Sequence, residues 1–277
     1  MIYGTSHYLD TMADNWDGLV LNDYEAVMPL TWRKKYGIRY LYQPAFVQQL
    51  GVFSSVTLNE NVIHDFINAA QKFRFAEIPL NFDNHLSMGG LIKVHKNNYL
   101  LPLKSSYCEL SDQYQPYLKE RLHRLQKFVL QYENSPDYTE AITLYNTMYG
   151  DKMSFTVKDK NNFTKLCDTF STTGQVIVRK VSTNHYDDLA VLLMLKDRNR
   201  LYNIMSYTSL EGRKMLANYF MYDEVIKEFA GQGLILDFEG SDVEGIAYFY
   251  SKFATINQQY PFVKWNNLPW LLKLLKR

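Results

Sequence analysis

The chain has 277 residues, with 30 basic and 29 acidic side chains and a formal charge of +1. That balance argues against a protein that coats a polyanion, and no DNA partner is expected. A hydrophobic share of 47%, with 13 Gly and 8 Pro, sets aside a disordered chain. Cys108 and Cys167 stand in no CxxC spacing, so neither a zinc site nor a disulfide framework is expected. The six histidines show no HxxxH or HExxH spacing, and no metal is expected. No apolar run approaches the ~18 residues of a spanning helix. The start carries no charged leader before an apolar core, so a soluble cytoplasmic protein is expected. The 22 Tyr and 16 Phe stand out, and they serve either packing or an aromatic-lined pocket.

In chain order, Gly18–Leu21 and Glu25–Trp32 read as strands joined by a turn at Asn22-Asp23. Ile38–Tyr42 is a third strand, ended by Gln43-Pro44. The adjacent amides Gln48 and Gln49 either bind a ligand or cap the loop backbone. A helix opens at Asn59-Glu60-Asn61, with Val62, Phe66, Ile67, Ala70 and Phe73 at helical spacing. Ala76–Phe82 contains Pro79, which favours an edge or a strand end, and Asn97–Leu103 is a further strand. Asp112 to about Lys127 reads as a helix with a basic face, Lys119, Arg121, Arg124 and Lys127. That face is either solvated or a contact for phosphate.

A second series follows. Phe128–Tyr132 is a strand, and Tyr138–Tyr149 and Asp159–Phe170 are helices. Gln175–Val181, Asp187–Lys196 and Leu201–Thr208 are strands. A long helix is expected from Ser209 to Ala230, ended by Gly231 and Gly233. Leu234-Ile-Leu-Asp-Phe-Glu-Gly-Ser241 reads as a short buried strand ending in two acids, a glycine and a serine. A helix from Val243 to about Ala254 and a strand near Pro261–Trp265 complete the chain. The two halves repeat an order of elements, although not a motif.

The order of the second half, with Ser209-Leu-Glu-Gly-Arg-Lys, Leu236-Asp-Phe-Glu-Gly-Ser241 and Gly245-Ile-Ala-Tyr-Phe-Tyr-Ser-Lys-Phe253, resembles the GNAT acyltransferase fold. Trp16-Asp17, Pro29-Leu30, Tyr42-Gln-Pro44 and Gln48-Gln49-Leu-Gly51 extend the resemblance to the tandem, FemAB-like proteins and to a bacterial branch of them. The resemblance implies an α/β (α+β) chain of two tandem GNAT-like domains, each a mixed, mainly antiparallel sheet flanked by helices. Residues 1–127 would form the first, lacking a first strand before Tyr3, and residues 128–277 the second.

It also implies an acyl- or aminoacyl-transferase acting on an amine acceptor, small molecule or peptide, in a cleft between the domains. Asp237 and Glu239 would be the catalytic carboxylates. Two apart on a strand, they would share a face, and their repulsion would raise one pKa. Each equally serves structure, Asp237 by capping the next helix or pairing with an Arg. Tyr207, Ser209, Gly212 and Arg213 would meet the donor, and Tyr42, Gln48, Gln49 and Ser241 the acceptor. Acyl-coenzyme A rests on a reduced phosphate loop, because only Gly212 matches (Q/R)xxGx(G/A) and Glu211 adds negative charge. No long heptad stretch supplies the helical hairpin of tRNA-using members, which weighs against a tRNA partner. The alternative is a non-catalytic ligand-binding protein that keeps the fold with a degenerate donor loop.

Overall fold

The computed structural model describes residues 1–87, 92–150, 153, 155–240 and 242–273. In chain order the first elements are α1 (Ser6–Met12), β1 (Trp16–Leu21), β2 (Ala26–Lys35), β3 (Ile38–Leu41), β4 (Phe53–Ser54), α2 (Glu60–Ala70), β5 (Phe75–Pro79) and β6 (Ile92–Lys96). Next come β7 (Tyr99–Pro102), α3 (Tyr107–Asp112), α4 (Pro116–Leu125), β8 (Gln131–Asn134), α5 (Tyr138–Tyr149), α6 (Val157–Thr172), β9 (Val176–Thr183), β10 (Tyr186–Lys196) and β11 (Arg200–Thr208). The chain closes with α7 (Leu210–Lys214), α8 (Ala217–Phe229), β12 (Ile235–Asp237), α9 (Glu244–Tyr250), β13 (Ile256–Asn257), β14 (Tyr260–Asn266) and α10 (Trp270–Lys273).

Two compact units result. Unit 1 holds Met1–Asn97 together with Gln258–Arg277, and unit 2 holds Asn98–Asn257. The division therefore falls at Asn97 and again at Asn257, not near Phe128. The cause is the pairing of β7 and β14. β7 sets Leu100, Leu101 and Pro102 against β12, and α3, α4 and the link between them send Leu110, Leu118 and Tyr114 into the core that α8 fills. In return β14 lies between β5 and β6.

In unit 1 the strand order is β1-β2-β3-β5-β14-β6, with β4 on β2. β3 and β5 pair in parallel, and the other pairings are antiparallel. The β1–β2 hairpin turns through Asn22 and Tyr24, both at positive φ. Asn59 caps α2 by accepting the Val62 N–H. That cap sets the phase of the helix, so Ile63, Phe66, Ile67 and Ala70 face Met28, Leu30, Ile78 and Val263. Pro79 ends β5, as a residue without an N–H should.

In unit 2 the order is β13-β7-β12-β11-β10-β9-β8, and only β11 with β12 runs parallel among these pairs. β10 carries an almost unbroken buried run from Leu189 to Leu195, the pattern of a strand covered on both faces. The long helix expected after Ser209 is two helices. α7 is held against β10 through Gly212, while α8 lays Ala217, Met221, Tyr222, Val225 and Ile226 into the core. The chain changes direction between them at Leu216, in the left-handed region at φ 57°.

Candidate active site

β11 and β12 lie side by side for only three residues, Arg200 with Ile235, Leu201 with Leu236 and Tyr202 with Asp237. β12 then ends, while β11 continues along β10 to Thr208. The sheet is split beyond Tyr202. The direction of the β11 amides follows from one bond. The Ser209 N–H donates to the Leu189 carbonyl at 3.0 Å. In an antiparallel ladder such pairs alternate, so Tyr207 and Met205 also bond to β10. The N–H groups of Ser206 and Thr208 therefore turn toward the side that β12 has left.

Asp237 closes the narrow end of the split and is fully buried. Its Oδ2 accepts from Arg200 Nη1 at 2.6 Å and from Asn98 Nδ2 at 3.3 Å. Its Oδ1 accepts the Glu239 N–H at 3.0 Å. Burial raises the Asp237 carboxyl above the ordinary carboxylate range, and Arg200 is the main influence against that rise. Asp237 thus ties the residue before β7, β11 and the turn after β12 to one carboxylate. Glu239 does not share a strand face with it. β12 stops at Asp237, and Glu239 sits in a left-handed turn at φ 61°, followed by Gly240 at φ 57°. Glu239 is half-buried and acts electrostatically on the Tyr250 hydroxyl.

The split is packed from the α8–α9 side by aromatic rings. Tyr222, Phe238, Phe249, Tyr250 and Phe253 contact one another with centroids between 5.1 and 6.4 Å apart. Their polar tips meet at Asn203 on β11, whose Nδ2 donates to the Tyr222 hydroxyl at 2.7 Å and the Tyr250 hydroxyl at 3.0 Å. Asn203 Oδ1 is buried with no hydrogen-bond partner among the described residues. A buried amide oxygen without a donor costs about 1–3 kcal/mol, so it marks a place for a donor group. Burial raises the phenol pKa of Tyr222 and of Tyr250, and both keep their protons. Neither Asn203 nor Tyr250 was singled out from sequence as a site residue: Tyr250 lies within the Gly245–Phe253 run with no polar spacing to mark it, and only its position midway along an apolar strand could have marked Asn203.

At the far end of β11, Ser209 caps α7, and its Oγ accepts the Gly212 N–H at 3.0 Å. A Cβ on Gly212 would lie 2.0 Å from the Leu189 carbonyl oxygen, so glycine is required for this close approach. α7 is a helix of five residues with Glu211, paired to Lys214, in its first turn. This turn does not fit the pyrophosphate of coenzyme A: one N–H is closed by Ser209 and a carboxylate stands beside the others. Tyr207 is half-buried; burial foremost, and then Asp188, raise its pKa, while Arg213 lowers it. Arg213 is exposed and reaches the Met148 sulfur at 3.4 Å.

Unit 1 has the same kind of parallel pair, β3 with β5, but there the gap is filled. Leu50 bridges to Leu80, and its N–H donates to the Pro79 carbonyl at 2.8 Å. Gln49 is fully buried; it donates to Gln48 Oε1 at 2.7 Å and accepts the Phe82 N–H at 3.0 Å. Gly51, at φ 86°, lets Asn84 approach, since a Cβ there would lie 2.3 Å from Asn84 Oδ1. The amides thus hold the loop. Tyr42 accepts the Asp14 N–H at 2.8 Å, and its ring carries the Arg33 guanidinium at 4.0 Å. Unit 1 also has a cavity of about 330 Å³ lined by Glu60, Phe82, Asn84, His85, Ser87 and His95, among others. Ser241 lies outside the described residues. Among them no helix is long and apolar enough to cross a membrane.

No family profile matches the chain, and no curated protein matches it in sequence. Among solved structures it is similar to FemX at 12% identity and a TM-score of 0.66, covering 100% of this chain and 95% of that one. It is similar to the C-terminal domain of a putative lysylphosphatidylglycerol synthetase from Agrobacterium fabrum at 10% identity and a TM-score of 0.56, with 94% and 86% covered. L-PGS from Bacillus licheniformis gives 12% identity and a TM-score of 0.52, with 98% and 90% covered. The chain has the fold of the FemAB-like tandem GNAT proteins.

Proposed function

We propose that the chain transfers an acyl or aminoacyl group to an amine at the β11–β12 split of unit 2. The observation that carries this reading is the divergence of β11 from β12, which turns the Ser206 and Thr208 N–H groups toward the opening. The amine attacks the carbonyl carbon of an ester or thioester. The negative charge that develops on the carbonyl oxygen is stabilised by the fixed Thr208 N–H dipole, because N–H groups two residues apart on a strand lie about 6.6 Å apart and cannot both reach one oxygen. Glu239 takes the proton that the attacking nitrogen loses, the buried phenol of Tyr250 gives one to the leaving group, and the proton held by Glu239 then passes to the Tyr250 oxygen, restoring both groups. Asp237 positions the turn that carries Glu239. Asn203 Oδ1 receives an N–H of the bound substrate.

The fold likeness to FemX and L-PGS supports the class of reaction and leaves the substrate pair to be identified. The α7 turn favours a donor whose anchoring does not depend on a pyrophosphate there. The test is a transfer assay with acyl-coenzyme A compounds and aminoacyl-tRNAs over a panel of amines. Thr208→Pro removes an N–H that β10 does not use, so it should cut the rate by ~10²–10³ while the melting temperature hardly moves.

The closed Ser209–Gly212 turn favours a second reading, a binding protein that keeps the fold without turnover. Tight binding of an acyl donor with no transfer to any amine would select it.

A further inference from the structure

Away from the split, unit 2 gathers two cations around one tyrosine. The Arg121 guanidinium on α4 lies 4.9 Å from the centre of the Tyr117 ring. Lys252, just after α9, lies 5.7 Å from the same centre and 3.7 Å from that of Tyr248. The Tyr117 and Tyr248 rings meet edge to face at 6.4 Å, and the Tyr117 hydroxyl is 3.5 Å from that of Tyr219 on α8. Three helices thus converge here.

Neither cation has a carboxylate partner among the described residues; the nearby acid on α4, Glu120, faces Arg124 instead. Arg121 Nε is out of contact with solvent and has no hydrogen-bond partner among the described residues. The Tyr117 phenol is pulled below its ordinary pKa, first by the Tyr219 hydroxyl and then by Arg121 and Lys252. Two like charges near one ring repel, and the ring's quadrupole offsets only part of that. With a whole-chain charge of +1, this concentration is local. Arg offers planar paired N–H donors and Lys a mobile point charge, the combination that suits a phosphate group.

We propose that Tyr117, Arg121, Tyr248 and Lys252 form a binding site for a phosphate ester. The half-exposed Tyr248 ring gives an organic substituent on that phosphate a surface to pack on. The site is independent of the transfer chemistry and stands whether or not the chain is a transferase.

The experiment titrates the full-length protein with inorganic pyrophosphate, with adenosine monophosphate, and with phosphatidylcholine vesicles with and without phosphatidate. A free or nucleotide phosphate shows as saturable binding in the first two arms, and a lipid headgroup as binding only to phosphatidate vesicles. In whichever arm binds, Arg121→Gln with Lys252→Gln should weaken the Kd by ~10-fold or more. A second measurement does not depend on the variant's folding: saturating probe should protect Lys252 of the wild-type protein from acetylation, read by mass spectrometry. Absence of binding in every arm overturns the proposal. So does binding that the double variant retains in full, or a Lys252 that is modified equally fast with and without probe.

Discussion

Asp237 joins three segments through a fully buried carboxylate, and that makes it structural before it is chemical. Replacing one partner of a buried ion pair leaves the other charge without compensation. Asp237→Ala should therefore cost ~3–5 kcal/mol in denaturant unfolding. Glu239 makes the opposite case. Its left-handed φ suits glycine better, so Glu239→Gly should leave stability unchanged or raise it by ~1 kcal/mol. If Glu239 is the base, the same variant should lose ~10²-fold or more in rate, with a folded circular dichroism spectrum. Full activity in that variant would remove Glu239 from the mechanism. Sequence order was enough to place both acids at the end of a short buried strand, because apolar Leu234–Leu236 marks it. The roles were not legible, since the partners Arg200 and Asn98 come from positions 37 and 139 residues away. The idea of a carboxylate pair failed on a single backbone detail, a strand that stops one residue before Phe238.

Among the elements, α7 is the one whose sequence misled. Its helical spacing runs into that of α8 without a proline or glycine to separate them, and the bend is imposed by packing of Gly212 on β10. Gly212→Ala would drive a Cβ into a backbone carbonyl, so it should destabilise the protein by ~1–3 kcal/mol and shift α7 outward. The bend itself was beyond local reading, because the clash involves Leu189 on another strand. By contrast α5 is legible at both ends, with Asp137 as its cap and Gly150 after its last residue. Between β9 and α8, Arg179 forms a forked pair with Glu228, which also accepts from the Tyr132 hydroxyl at 2.5 Å. Burial pulls the Glu228 pKa up, but Arg179 and Tyr132 outweigh it and leave it lowered. A carboxyl depressed in the folded state adds stability above its unfolded pKa, and this is lost as pH falls through the folded value. Wild-type protein should lose roughly 1 kcal/mol more than Glu228→Gln on acidification from about pH 5, given the partial exposure of the pair. Equal acid limbs for the two proteins would show the pair to be energetically silent.

For the molecule as a whole, the two-part α+β organisation was legible because element order survives where sequence similarity does not. Most strands were placed to within a few residues, since β-branched and aromatic runs bounded by turns carry that signal. The exchange of β7 and β14 between sheets was not, because partner choice between two similar sheets leaves no trace in either strand's own residues. It predicts an asymmetry in truncation. Residues 98–257 form a unit with its own core and should fold when expressed alone, with a cooperative thermal transition. Residues 1–97 alone lack the strand between β5 and β6 and should stay unfolded or aggregate, with two bare strand edges. A cooperative transition from residues 1–97 would show that β14 is dispensable.

The placement of β14 also fixes a timetable. A ribosome delivers β5 and β6 early, yet the strand that must lie between them emerges more than 160 residues later, after the whole of unit 2. The amino-terminal sheet is thus the last to be completed on the growing chain, and the middle of the protein the first. Through that interval the nascent amino-terminal segment presents two unsatisfied edges, and it is the part of this polypeptide that most needs shelter by a chaperone during synthesis.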